Sequence, residues 1–250
     1  MRVAAIYDIH ANLPALEAVL TDIRETNVDC VVVGGDVLPG PMPRESLGSL
    51  LDLDIPMQFI RGNGEVAVLQ QLAGKDPVKV PEQYRLPIRW TAQQLRPREE
   101  QALTSWPMTL TLDIPGLGSV LFCHATPQNP DDIFTKVTPE ERLLPAFEAV
   151  SESVVVCGHT HMQFDRMIGR TRVVNAGSVG MPFGQPGGDW LLLGPDIQLR
   201  HTNYDLDAAA ARIRLTGYPE AAEFAERYVL RPPSEAAMLE AFSAFRVQSG

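Results

Sequence analysis

Cysteine is scarce in this chain: three in 250 residues, Cys30, Cys123 and Cys157, each in or beside an apolar, strand-like run. An odd number of thiols in such places excludes a disulfide framework and makes a reducing, cytoplasmic setting the expectation. Basic residues are outnumbered, 21 Lys and Arg against 31 Asp and Glu, for a net charge of −10. With no Lys/Arg cluster, the chain lacks the patch that extended nucleic acid requires, although a small phosphate-bearing ligand stays open. Long hydrophobic runs are missing too. None approaches the ~18 apolar residues of a membrane span, and Met1 to Asp8 reaches a charge too soon to read as a signal peptide. What is present, 45% hydrophobic and 21% charged residues, is ordinary for a globular protein and excludes wholesale disorder.

The first third alternates short apolar runs with amphipathic stretches. Val3 to Tyr7 reads as a strand, and Leu13 to Thr26 as a helix with apolar residues at Leu13, Leu16, Val19, Leu20 and Ile23. Asn12 stands at its N-cap and Pro14 in its first turn. Cys30 to Val33 is a buried strand, Arg44 to Leu53 a helix, and Met57 to Ile60 a third strand. That order predicts parallel pairing. Gly74 to Tyr84 reads as a polar loop, and Leu86 to Trp106 as one or two helices punctuated by Pro97. Met108 to Ile114 with Ser119 to Cys123, and Gln163 to Ile168 with Thr171 to Asn175, read as hairpins. Thr138 to Val150 is helical in period, Val154 to Cys157 a buried strand, and Trp190 to His201 further strand. The expected architecture is α/β, with mixed sheets in a sandwich and helices outside. It forms one domain over 1–250, whose residues 205–250 make a mostly helical C-terminal extension.

Four of the five histidines, His10, His124, His159 and His161, fall just past predicted strands, as do Asp8, Asp36 and Asn63. Strand ends converge in space, and open α/β folds bind ligands there. Seven N/O donors from five strand ends point to a metal site, and mixed imidazole and carboxylate donors suit Mn, Fe, Zn, Ni or Co better than Ca or Mg. Taken singly, each motif has an everyday structural explanation. Their joint occurrence at strand ends does not.

The ordered set Asp8-Ile9-His10, Gly35-Asp36, Gly62-Asn63, His124 and Gly158-His159-Thr160-His161 resembles the calcineurin-like metallophosphoesterases. Asp8-Ile9-His10-Ala11-Asn12-Leu13-Pro14-Ala15-Leu16, His124-Ala125-Thr126-Pro127 and Asn175-Ala176-Gly177-Ser178-Val179-Gly180 resemble its small bacterial and archaeal phosphodiesterase branch, which usually carries Pro where Ala176 stands. The resemblance implies a four-layer αββα sandwich of two mixed β-sheets flanked by helices. It also implies two divalent transition-metal ions, manganese foremost, with Fe, Ni, Co or Zn also compatible. One ion would take Asp8, His10, Asp36 and His161, and the other Asp36, Asn63, His124 and His159, with Asp36 shared and a bridging hydroxide as nucleophile. Asp36, Asn63 and His124 are the candidate catalytic residues, and Asn12 and Asn63 the candidates to touch substrate phosphate.

One departure from the family pattern bears on the substrate. Members that cleave monoesters commonly carry His directly after Gly-Asn, with an acidic partner in the extended Gly-Asp motif; here Gly64 and Val37-Leu38-Pro39-Gly40 stand there. Without that acid, catalysis leans on leaving groups that depart as anions, or on another donor such as metal-bound water. The expectation is a phosphodiesterase acting on a small phosphate ester. The alternatives are a phosphomonoesterase or nucleotide hydrolase, and a non-catalytic metal-binding scaffold. Glu65 reads as a first-turn acid, Ser178 as a residue shaping the site, Arg61 as a surface residue or a substrate contact, His201 as solvated, and Phe183 to Gly188 as a glycine-rich lid.

Overall fold

Strict alternation along the strands decides the layering. The computed structural model describes residues 1–75 and 80–244. In β1 (Val3–Ile6) and β2 (Cys30–Val33), Ala4, Ile6, Val31 and Val33 face one core while Val3, Ala5 and Val32 face another. Successive side chains of a strand point to opposite faces, so these β-branched runs are buried on both.

Two mixed five-stranded sheets result, each with hairpin strands beside parallel pairs. In the first, β1 pairs in parallel with β2 and β2 with β3 (Met57–Phe59), while β9 (Gly188–Leu193) and β10 (Ile197–Thr202) add antiparallel strands on the other side of β1. In the second, the order is β4 (Thr109–Ile114), β5 (Gly118–Cys123), β6 (Val154–Cys157), β8 (Thr171–Asn175), β7 (Phe164–Ile168), with β5, β6 and β8 mutually parallel. Both predicted hairpins form, β4 with β5 and β7 with β8.

Between the sheets lie Val3, Ala5, Tyr7, Val120, Phe122, Val154, Val156, Val174, Leu191 and Leu193. Outside the first sheet pack α1 (Leu13–Thr26), α2 (Pro43–Leu51), α3 (Asn63–Leu72), α4 (Glu82–Gln94) and α5 (Pro97–Ser105); outside the second packs α6 (Glu140–Phe147) through Leu143, Ala146 and Phe147. This is the expected four-layer arrangement.

Boundaries moved by a few residues. Pro43 opens α2 in a first-turn position where its missing N–H is harmless, and α6 is shorter than its period suggests at both ends. The loop expected over Gly74 to Tyr84 gives way to α4 at Glu82, and its residues 76–79 lie outside the described residues, as do 245–250 of the helical extension. After β10 come α7 (Leu206–Arg214), α8 (Ala221–Phe224) continuing as a π-helical stretch over Ala225–Leu230, and α9 (Glu235–Phe242). Ala209, Ala210, Ile213, Phe224 and Val229 join the core of the first sheet, but no residue of α9 is buried.

Candidate metal centre at the strand ends

Five parallel strands, β1, β2 and β3 in one sheet and β5 and β6 in the other, deliver their following residues to one end of the sandwich. Asp8 and His10 follow β1, Asp36 follows β2, Asn63 opens α3 after β3, His124 follows β5, and His159 and His161 follow β6. Two groups of donors form there: Asp8, His10 and His161, and Asp36, His124 and His159.

The distances tie the groups together. His161 Nε2 lies 3.4 Å from Asp8 Oδ1 and 3.2 Å from His10 Nε2. His124 Nε2 lies 3.5 Å from Asp36 Oδ1, whereas the other oxygen of Asp36, Oδ2, lies 3.9 Å from His10 Nε2. Asp36 therefore stands between the two groups, one oxygen toward each.

Backbone strain is concentrated here. Among the described residues, the non-glycine positions with positive φ are Asp8, His10, Ala11, Asn27, Asp36, His159 and His161. Five of these are candidate ligands, Ala11 directly follows one, and Asn27 is at the C-cap of α1. A left-handed backbone is unfavourable for β-carbon-bearing residues and persists where surrounding structure enforces it.

That enforcement is visible. Asp8 N–H donates to Gly35 O (3.1 Å), His10 N–H to Asp36 O (2.9 Å) and His159 N–H to Asp8 Oδ2 (2.7 Å). Asn175 Nδ2 donates to Gly158 O (2.6 Å) and Thr160 Oγ1 (3.2 Å), bracing the bend that carries His159 and His161. Ser178 Oγ donates to Asp8 O (2.7 Å). Ala176, at the position where the resemblance has Pro, uses its N–H to donate to Cys157 O (2.8 Å), a bond that proline lacks.

Among the described residues six buried side-chain atoms lack a hydrogen-bond partner, and three of them, Asp8 Oδ1, Asn63 Oδ1 and His124 Nε2, belong to the predicted ligand set. Buried polar atoms are almost always paired, so orphans grouped in one place fit a ligand of complementary charge. The outer nitrogens are already committed: His124 Nδ1 to Gly34 O at 3.0 Å and His161 Nδ1 to Met181 O at 2.9 Å. Such bonds fix the tautomer and leave Nε2 free to ligate.

Protonation is correspondingly contested. Burial, reinforced by His161, pulls His10 down to about 3, and burial with His124 pulls His159 to about 3, so both rings are neutral near pH 7. Burial pushes Asp36 up to about 7 against the pull of His124. For Asp8 burial acts upward, but the imidazoles of His161 and His124 outweigh it and hold the carboxyl below its ordinary range. Crowded carboxylates and imidazoles of this kind exchange bound protons for a cation.

Several lesser expectations gain detail. Glu65 is in the first turn of α3, as expected, but it is fully buried and accepts from the backbone N–H of Asp36 (2.8 Å), Leu38 (3.0 Å) and Gly62 (2.8 Å). Asn12 is fully buried, caps α1 as expected by accepting from Ala15 N–H, and donates to Gly180 O at 2.8 Å. His201 is exposed, as expected, and is also bonded through Nδ1 to Asp189 Oδ1 at 2.7 Å. Arg61 has a buried, unpartnered Nε and so is not a purely surface residue. Gln163 escaped notice in the sequence: its Nε2 lies within hydrogen-bond distance of the carbonyls of Ala176, Trp190 and Arg200, on both sheets.

Among the described residues no helix is long and apolar enough to cross a membrane. Comparison with known proteins supplies the relatives. The uncharacterized protein MJ0912 of Methanocaldococcus jannaschii is 32% identical over 131 residues, which span 52% of this chain and 51% of that protein. The crystal structure of a metallophosphoesterase from Sphaerobacter thermophilus matches with a TM-score of 0.69 at 26% identity, covering 91% of this chain and 98% of that one. The hypothetical protein PH1004 of Pyrococcus horikoshii OT3 shares the fold, with a TM-score of 0.78 at 22% identity over 93% of this chain and 99% of that one. The model of the calcineurin-like phosphoesterase superfamily domain matches residues 1–194, the stretch that carries every candidate ligand, and the chain belongs to that superfamily.

Proposed function

We propose that this protein is a dinuclear-metal-dependent phosphodiesterase acting on small phosphodiesters. The observation that carries the reading is the set of orphaned donors, Asp8 Oδ1, Asn63 Oδ1 and His124 Nε2, buried between two donor groups that Asp36 spans. Asp8, His10, Asp36 and His161 would hold one divalent cation, and Asp36, Asn63, His124 and His159 the second. When bound, such a pair supplies an activated water and neutralises charge on the phosphoryl oxygens. Asp36 contributes the shared carboxylate, and Asn63 a neutral oxygen that adds no further negative charge.

The preference for diesters is supported at Gly64. A Cβ there would overlap the Leu38 carbonyl oxygen and come within 2.9 Å of Asp36 Oδ1, and Gly64 N–H donates to that same oxygen at 2.7 Å. The segment after Asp36 thus fills the volume where a monoesterase-type histidine would begin. With no acid at that position, substrates whose leaving group departs as a stable anion are favoured.

The test is hydrolysis of bis-p-nitrophenyl phosphate against p-nitrophenyl phosphate by metal-stripped protein resupplied with Mn, Ni, Co, Zn or Mg singly. Metal-restored diesterase activity with little monoesterase is the expected result. Equal rates on the two would overturn the diester preference, and no turnover with any metal would overturn the enzyme reading in favour of a scaffold.

A further inference from the structure

We propose that Phe183, gripped by the C-terminal helix α9, is a positioning residue for the candidate ligand His161, so that α9 acts in the metal centre. The inference rests on the dinuclear reading above. It concerns a part of the chain that the family model, ending at residue 194, does not reach.

His161 is the candidate ligand next to the glycine-rich segment, and that segment's exposed residues include Gly184 and Gln185. Its Nδ1 is fixed by Met181 O, and its Nε2 faces Asp8 and His10. The ring itself is covered by Phe183, whose plane lies 23° from that of His161 with centroids 5.2 Å apart. Phe183 N–H also donates to His161 O at 3.1 Å. One residue thus holds both the backbone and the ring of the ligand.

Phe183 is held in turn from outside. Phe242, in the last turn of α9, packs on it at 6.2 Å between centroids. Gly184 N–H donates to Pro233 O at 2.9 Å, just before α9 begins. Glu235, at the other end of α9, forms an ion pair with Lys136. Arg166 steadies that lysine's loop by donating to the carbonyls of Thr135, Lys136 and Thr138. Glu235 and Phe242 bound the eight-residue helix and stand two turns apart, hence on one face. That face meets the start of the glycine-rich segment through Phe242 and the neighbouring Lys136 loop through Glu235, while no α9 residue is itself buried. The glycine-rich segment expected to swing as a lid is therefore fastened, with Phe183 seated against the metal-facing histidine.

Partners that orient a ligating histidine typically change metal affinity by roughly 10–100-fold when removed. Manganese binding to metal-stripped protein, followed by equilibrium dialysis and calorimetry, tests the assignment in wild type, Phe183→Ala, Phe183→Tyr and Phe242→Ala. Wild type is expected to bind two Mn per chain. Phe183→Ala keeps one site at its original affinity and weakens the other by about tenfold. Phe183→Tyr restores the pair, and Phe242→Ala weakens the same site more mildly. Urea midpoints of the metal-free variants, measured alongside, stay together. Two unchanged sites in Phe183→Ala overturn the proposal alone, as does parallel weakening of both sites with a lowered metal-free midpoint. Fewer than two Mn in wild type overturns the dinuclear reading, and the proposal with it.

Discussion

Glu65 donates nothing to the candidate metal set, yet it decides where Asp36 sits. Its carboxylate gathers three backbone N–H groups, from Asp36, Leu38 and Gly62, tying the loop after β2 to the start of α3. Burial pushes its pKa up against those same bonds, which favour the charged form. Glu65→Gln replaces one accepting oxygen with a donor facing N–H groups, so it is expected to destabilise by about 2 kcal/mol. Urea denaturation reads that loss, and metal affinity should fall with it; a variant with wild-type midpoint and affinity would refute the role. Gly64→Ala is expected to cost roughly 1–3 kcal/mol through overlap with Leu38 O. Gly64→His should therefore fail to create a monoesterase, and a folded variant that gains p-nitrophenyl phosphatase activity would show the reasoning wrong. The donors themselves were legible in the sequence because strand ends advertise them. Glu65 was not, since a glutamate in a first turn looks the same whether its carboxylate meets solvent or three amides from a distant loop.

At the scale of elements, unbroken apolar runs predicted the strands β1, β2 and β6, with β2 and β6 buried, and Gly-centred turns predicted the β4–β5 and β7–β8 hairpins. What apolar runs could not convey was cross-strand pairing of polar residues. His201 in β10 lies directly opposite Asp189 in β9 and bonds to it, where sequence position alone suggested solvent. The hydrogen bond to Asp189 raises the His201 pKa above 6.5, with burial working the other way; burial likewise lifts Asp189. A histidine whose folded pKa is raised contributes stability that is complete below the unfolded value and fades as pH climbs through the folded one. The difference in urea midpoint between wild type and His201→Gln should thus be largest near pH 6 and shrink toward pH 9. A difference that is flat or grows with pH would contradict this. The contact of α9 with Phe183 was equally hidden, because a glycine-rich segment signals freedom and says nothing of what closes over it.

For the whole molecule, both sheets present the C-terminal ends of their parallel strands to one rim, so a bound cation pair would crosslink the two halves of the sandwich. Metal binding and folding are then linked: a cation at a hundred times its Kd adds about 2.7 kcal/mol per site. Chelation should lower the thermal midpoint, and resupplied Mn should restore it, while Asp36→Asn should blunt the response; a midpoint indifferent to metal would argue against the crosslink. The left-handed backbone at Asp8, His10, Asp36, His159 and His161 gives this an evolutionary edge. Each of those positions would be more comfortable with glycine. The same substitution would remove a candidate ligand. A lineage released from the demand for hydrolysis could therefore relieve strain by losing a ligand such as His10 or His159, whereas losing Asp8 or Asp36 would also orphan the N–H of His159 or Gly64. On the metal-dependent reading, the strained backbone of the site is thus held for the sake of its side chains and not for the fold.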